Sequence, residues 1–261
     1  MAIFGDYARY YNLLYADKKY DEEADFVLHI LATRGCRPVS LLDLGCGTAR
    51  HALHMSGHGI AVSGADMSAT MLAMGEKMLQ QEKARPTLPA GSPLPELHLG
   101  DARSLRLGRQ FDAVTSLFHV MSYQTTEDDA MSLFSTAREH LKSGGLFFFD
   151  FWHGPGVLRE PPETRLRIME DAHTRVTRYA RPVHRVNDDI VEVHYDIELE
   201  NKETGTHSHL SEQHDMRYWF LPELRHLAHL SGFMPAGEGA WPEDTPPQAN
   251  TWNAWMVVRK C

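Results

Sequence analysis

The sequence has only three cysteines, Cys36, Cys46 and Cys261, and no paired spacing among them, which excludes a disulfide scaffold and a cysteine-rich zinc site. They read as reduced thiols, and the expected localisation is cytoplasmic. Long apolar runs are also missing. The most hydrophobic stretch, "LFFFDFW", falls far short of the ~20 residues a membrane span needs, and the N-terminal segment lacks the continuous apolar core of an export signal. Positive charge is in deficit: 26 Lys and Arg against 35 Asp and Glu leave a formal charge of −9. That balance argues against a sequence-independent nucleic-acid binder, which needs a basic surface to displace counterions. No repeat or low-complexity run suggests a solenoid. The expected partner is therefore a small molecule, with no nucleic acid and no membrane.

What is present is an ordinary globular composition, 43% hydrophobic and 23% charged, in a chain of 261 residues. Strand candidates recur at Ser40–Leu44, Ile60–Ala65, Leu97–Leu99, Ala113–Leu117 and Leu146–Phe151. Helical patterns lie between them at Ala49–Ser56, Ala69–Glu82 and Thr126–Leu141. Such alternation predicts a parallel sheet with helices on both faces. After Phe151 the pattern changes to alternating apolar and polar residues, as in antiparallel strands with one solvated face, with a hairpin turn at Glu203–Gly205. A helix over Leu221–Leu230 and a final strand in "TWNAWMVVRK" close the chain. The reading is an α/β fold divided into a helical segment (1–34), a parallel core (35–151), an antiparallel insertion (152–220) and a C-terminal helix and strand that complete the core (221–261). The exposed edge of the insertion offers a surface for a homodimer.

The stretch "LLDLGCGTARH" ends a buried strand in a glycine turn that runs into a helix. Free N–H groups beside a helix N-terminus suit an anionic group. A dinucleotide fingerprint requires a third glycine where Arg50 stands, which counts against a nicotinamide enzyme. Asp43, two residues before Gly45, fits another pattern. "DLGCGTARH" resembles motif I of the class I S-adenosylmethionine-dependent methyltransferases, D/E-x-G-x-G-x-G, with Ala49 in place of the third glycine. Further landmarks follow in order: Asp66 at the end of the second strand, "GDARSL" after the third, "FDAVTSLFHVMSYQ" resembling motif IV, and "HLKSGGLFFFDF" resembling the turn and fifth strand.

The resemblance implies a Rossmann-like core over residues 35–151 that binds S-adenosylmethionine and releases S-adenosylhomocysteine, with residues 1–34 as a lid. Gly45 and Gly47 would cradle the methionine part, where donors meet its carboxylate and Asp43 supports backbone carbonyls at its ammonium. Asp66 would accept the ribose hydroxyls, Asp101 the adenine amino group, and the adjoining Met67, Ala102 and Leu117 would lie beside the cofactor. "YARYYNLLY" followed by "KKY" resembles the lid of small-molecule N-methyltransferases, including amino-sugar N,N-dimethyltransferases and glycine N-methyltransferase-like enzymes. By that resemblance Tyr15 sits near the transferring methyl and Tyr20 contacts the cofactor carboxylate. Tyr7, Tyr11 and Tyr15 share a helical face, and Tyr11 is assigned to the acceptor.

His119, just beyond the fourth strand at the carboxyl edge of the sheet, has the pKa class of a proton acceptor. Tyr15 and His119 are thus the catalytic candidates. Trp152 and His153 at the end of strand five, with Arg217 in "QHDMRYWF", are the other acceptor-binding candidates. His51 is a packing or cofactor-side residue. His173, His184, His194, His207, His209 and His214 are read mostly as solvated strand residues, with no metal site. The expected function is methyl transfer to a small polar acceptor, foremost the amine of a sugar or related metabolite. Transfer to oxygen or carbon, or cofactor binding without transfer, remain open at this point.

Overall fold

The apolar runs form the strands of one seven-stranded sheet in the computed structural model, which describes residues 13–15 and 17–261. Helix α1 (Tyr20–Thr33) precedes β1 (Ser40–Leu44), and then α2 (Arg50–Gly57), β2 (Ala61–Asp66), α3 (Ala69–Ala84), β3 (Glu96–Leu99) and β4 (Phe111–Ser116) follow. Helix α4 (Glu127–His140) leads directly into β5 (Leu141–Trp152), and a short α5 (Gly154–Arg159) leaves the sheet. After the insertion come α6 (Leu221–Leu230), β10 (Phe233–Ala240) and β11 (Asn253–Lys260). The order is β10-β11-β5-β4-β1-β2-β3, with β1 to β5 mutually parallel and the β5–β11 and β11–β10 pairs antiparallel. Strand order reverses between β1 and β4, and a crevice opens beyond their carboxyl ends.

Strand β5 explains how the sheet is filled. Phe147, Phe149 and Phe151 pack with Phe134 of α4 and Phe233 of β10. Leu146 and Phe148 face Val27 of α1, Met55 of α2 and Trp255 of β11. Side chains alternate across a strand, so Asp150 and Trp152 belong to the face of Leu146 and Phe148. A buried carboxylate thus arrives at the end of an apolar strand, where only the crevice side can use it.

Strand β10 was not among the sequence candidates, because Pro235, Gly237 and Gly239 break its pattern. It lies at the sheet edge with a bulge between Pro235 and Gly237, the positions where a strand tolerates such residues. At Gly239 a Cβ would come within 2.7 Å of the Trp255 ring, so the missing side chain makes room for the indole.

The insertion folds as a separate antiparallel sheet in the order β6 (Arg165–Glu170), β7 (Thr174–Arg185), β8 (Ile190–Asn201) and β9 (His207–Arg217). Along β8, Val191, Val193, Ile197 and Leu199 are buried while Glu198 is exposed, the pattern of a half-solvated sheet. The register puts His214 opposite Val193 and Met216 opposite Val191. His214 therefore joins the apolar face, where it is 2% exposed. It is an exception among the insertion histidines, which are read mostly as solvated strand residues.

Candidate active site

Beyond the carboxyl ends of β1, β2 and β4 lies a cavity of about 710 Å³. Its lining includes Asp43, Gly45, Gly47, Asp66, Asp101 and Ala102, together with Met67 and Leu117. The insertion contributes Arg165, Tyr195 and His214, and Tyr15 and Tyr20 line it from the N-terminal side. Tyr7, Tyr10 and Tyr11 lie outside the described residues.

The glycine turn is shaped by close approach. Gly45 has φ +81°, and a Cβ there would fall 2.5 Å from Val120 Cγ2. The turn's N–H groups point to β2: Gly45 and Cys46 both donate to the Ala65 carbonyl, at 2.7 and 3.0 Å, and Gly47 donates to Asp66 Oδ2 at 2.8 Å. These three donors are used within the protein, so the expectation that they receive an anionic group is corrected. The turn instead sits among carboxylates.

Asp43 is 1% exposed and accepts a hydrogen bond from Thr115 Oγ1 at 2.8 Å. Burial raises its carboxyl to about 6, against the opposing pull of nearby His51 and of Thr115. Asp66 accepts N–H groups on both oxygens, from Gly47 and, at 2.8 Å, from Ser68. Burial nevertheless lifts its pKa above the ordinary value. Asp101 is held in a fork by Arg103, whose Nη2 lies 2.6 Å from Oδ2 and whose Nη1 reaches Asp129 at 2.7 Å; this pairing lowers the Asp101 pKa. Three carboxylates at successive strand ends suit a cationic ligand rich in hydroxyl and amino donors.

His51 pairs with Glu23 of α1, Nε2 to Oε2, at 2.7 Å, and Glu23 also pairs with Lys18. Burial works against ionisation of Glu23, but His51 and Lys18 outweigh it and lower its pKa. Lys18 Nζ lies 4.4 Å from the Phe118 ring centroid, and Tyr20 meets the His51 ring edge-on at 4.9 Å. This chain of contacts ties the N-terminal segment to the glycine turn and the end of β4.

Phe118 and His119 both adopt left-handed backbone conformations, φ +64° and +66°, one residue past the end of β4. The His119 N–H donates to the Asp150 carboxylate at 3.1 and 3.2 Å. Its ring Nδ1 lies 2.7 Å from Asp150 Oδ2, an ion-pair distance without hydrogen-bond alignment. Trp152 stands edge-on to the His119 ring at 6.3 Å, and Tyr15 packs edge-on against Phe118 at 5.1 Å. Tyr15, His119 and Trp152 all line the cavity.

Two acceptor-site assignments are corrected by this geometry. His153 lies outside the cavity: it is one position past Trp152, 5% exposed, with Nδ1 3.0 Å from the Thr251 carbonyl oxygen and a pKa lowered by burial. Arg217 also lies outside. Its guanidinium stacks 4.0 Å over the Trp219 ring and donates to Glu223 at 2.6 Å, fastening β9 to α6.

Sequence reasoning missed Thr115, Asp150, Tyr123 and the Glu23–His51 pair. Asp150 carried a signal, a lone carboxylate inside the run "LFFFDFW", whereas the others depend on strand and helix packing.

Fold and site together define a Rossmann-like protein with a carboxylate-lined cofactor crevice. Residues 41–145 match the family described as a methyltransferase domain. A dTDP-3-amino-3,4,6-trideoxy-alpha-D-glucopyranose N,N-dimethyltransferase of Streptomyces venezuelae is 30% identical over 194 residues, covering 74% of this chain and 76% of that protein. A dTDP-3-amino-3,6-dideoxy-alpha-D-glucopyranose N,N-dimethyltransferase of Streptomyces fradiae is 27% identical over 193 residues, 73% and 70% of the two chains. The solved structure of the sugar N-methyltransferase KedS8 from Streptoalloteichus shares the fold, with a TM-score of 0.78 at 23% identity over 100% of this chain and 96% of that one. The chain belongs to the class I S-adenosylmethionine-dependent methyltransferases. Its cofactor is S-adenosylmethionine. Among the described residues no helix is long and apolar enough to cross a membrane.

Proposed function

We propose that the enzyme methylates the amine of a sugar or a closely related small metabolite. The observation that carries this reading is the 30% identity, over three quarters of both chains, to an enzyme that dimethylates a sugar amine. The cavity supports it, because Tyr15, His119 and Trp152 share that space with the three carboxylates. The formal charge of −9 also favours a small molecule over nucleic acid as acceptor.

S-adenosylmethionine supplies an electrophilic methyl group on a sulfonium, so the protein has to align the acceptor, exclude water and manage protons. In this reading Asp43 faces the cofactor ammonium, Tyr20 its carboxylate, Asp66 the ribose, and Asp101 with Ala102 the adenine. Met67 and Leu117 flank it. Tyr15 lies at the methyl group. His119, oriented by the buried Asp150, accepts the proton that an ammonium acceptor must lose before its nitrogen can attack. The four-stranded sheet covers the acceptor end.

The test is incubation with S-adenosylmethionine and a panel of amino sugars, free and linked to thymidine diphosphate, with product fragmentation by mass spectrometry. Methyl groups on nitrogen are expected. Methylation confined to oxygen or carbon, or cofactor binding without transfer to any acceptor, overturns the reading.

A further inference from the structure

Trp252 stands just before β11, and it lines the cavity together with Asn253 and Trp152. The two indoles meet edge to face, with ring centroids 4.8 Å apart and planes inclined by 65°. Trp152 also adjoins the His119 ring at 6.3 Å, so Trp252 is a second indole one contact further from the reacting end. Its position is fastened at backbone and ring. The Trp252 carbonyl accepts the His153 N–H at 2.9 Å, and the indole N–H donates to the Glu160 carbonyl oxygen at 2.9 Å. Gly156 of α5 lets the two segments touch, since a Cβ there would fall 2.0 Å from the Thr251 carbonyl oxygen. The ring is therefore set in place before any ligand arrives.

Asn253 is the register partner of Trp152 across β11 and β5, as Trp255 is of Asp150. Directly opposed residues share a face, so the carboxamide stands on the side of the sheet that carries Asp150 and Trp152. Its Oδ1 is sealed from solvent and has no hydrogen-bond partner among the described residues. A buried polar atom in that state calls for a partner. No bond at the oxygen holds the group, and a turn about the broad terminal torsion of the amide brings either end to the cavity.

A pyranose ring has two kinds of surface. Its C–H faces are apolar and slightly positive, which suits the electron-rich face of an indole, whereas its hydroxyls project as donors and acceptors. A fixed tryptophan pair with a carboxamide beside it matches both.

We propose that Trp252 and Asn253 extend the acceptor subsite: the ring of the amino sugar packs on the Trp152–Trp252 pair, and the Asn253 carboxamide hydrogen-bonds a hydroxyl beside the amine. This inference rests on the amino-sugar reading above. Asn253 faces Trp152, which itself adjoins His119, so the hydroxyl in its reach is on a carbon next to the one that bears the reacting nitrogen. These contacts are made in the ground state as well as in the transition state, so they act on KM more than on kcat. An acyclic amine lacks the ring face and a deoxy sugar lacks the hydroxyl, and both are disfavoured.

The test joins spectroscopy with kinetics. Protein carrying 5-fluorotryptophan reads the contact directly, with S-adenosylhomocysteine bound so that no transfer occurs. The Trp252 signal, assigned with Trp252→Phe, is expected to shift when dTDP-3-amino-3,6-dideoxyglucose is added and to stay in place with dTDP alone. No shift with the sugar, or the same shift with dTDP alone, overturns the inference. In steady-state kinetics Trp252→Ala should raise KM for this acceptor by about 10-fold or more, with kcat and cofactor affinity little changed, and Trp252→Phe should recover most of the loss. Wild type should lose about 10-fold or more in kcat/KM when one of the two hydroxyls flanking the amine is removed, and Asn253→Leu should show no such loss. A wild-type KM in Trp252→Ala overturns the ring contact, and an equal hydroxyl penalty in Asn253→Leu and wild type overturns the carboxamide contact. A shifted Trp252 signal in protein that methylates no amine supports the subsite and overturns the amine reading alone.

Discussion

Asp66 accepts the backbone N–H of Gly47 at 2.8 Å, so the carboxylate that ends β2 also holds the turn that follows β1. Its second oxygen accepts the Ser68 N–H at the start of α3. One side chain thereby fixes the geometry of two loops that line the cavity. Asp66→Ala should weaken S-adenosylmethionine binding by about 30-fold or more and reduce stability by ~1–3 kcal/mol, because two N–H groups lose a charged acceptor. Calorimetry and thermal unfolding check both effects. Unchanged affinity in a folded variant would detach Asp66 from the cofactor.

Asp43 links affinity and stability to pH. Its carboxyl rises from 3.8 to about 6 in the folded protein, so between these values the native state holds a proton that the unfolded chain has released. Stability from this group is present below the window and lost as pH rises through it. Asp43→Asn should therefore stabilise the ligand-free protein at about pH 7, by up to ~3 kcal/mol. Cofactor affinity should fall as pH drops below about 6, where protonated Asp43 no longer attracts an ammonium. Titrations at about pH 5 and about pH 7 with wild type and Asp43→Asn separate these effects, and the variant should lose the pH dependence.

Gly45 combines a left-handed φ of +81° with a Cβ position 2.5 Å from Val120 Cγ2. Gly45→Ala should abolish measurable cofactor binding and lower the melting temperature. The double variant Gly45→Ala/Val120→Ala should recover only part of the loss, since truncation of Val120 relieves the collision and leaves the backbone strain. Full recovery would make the collision the whole cause.

At the reacting end, Tyr15→Phe and His119→Ala should each cut turnover by about 10- to 100-fold with little change in cofactor affinity. Asp150→Asn should act through His119 and lower turnover with little change in cofactor affinity, because it alters the group that accepts the His119 N–H and lies 2.7 Å from its Nδ1. Rapid-quench measurement of a single turnover tests all three. Wild-type rates in Tyr15→Phe and His119→Ala would take both residues out of the chemistry.

Most of the parallel core was legible before any coordinates, for local reasons. Hydrophobic runs, the intervening helical periodicity, the Gly45–Gly47 turn and the acidic residues at positions 43, 66 and 101 are properties of short segments. Their order along the chain specifies a right-handed α/β progression with its crevice at the strand ends. Strand β10 escaped notice because an edge strand accepts the Pro and Gly that conceal it.

What the sequence by itself determined was the class of fold, the cofactor and the carboxylates that end the first three strands, all of which depend on local spacing. Only the tertiary structure decided which side chains share the acceptor space. Asp150 meets His119, and Tyr123 meets His214 from 91 positions away, because β5 and β9 are brought to the crevice in particular registers. Pleat parity then sends His214 inward, while His153 and Arg217 are held in contacts outside the cavity. The alternation along a strand is written in sequence, but which face is covered, and by what, is set by the strands and helices that pack on it.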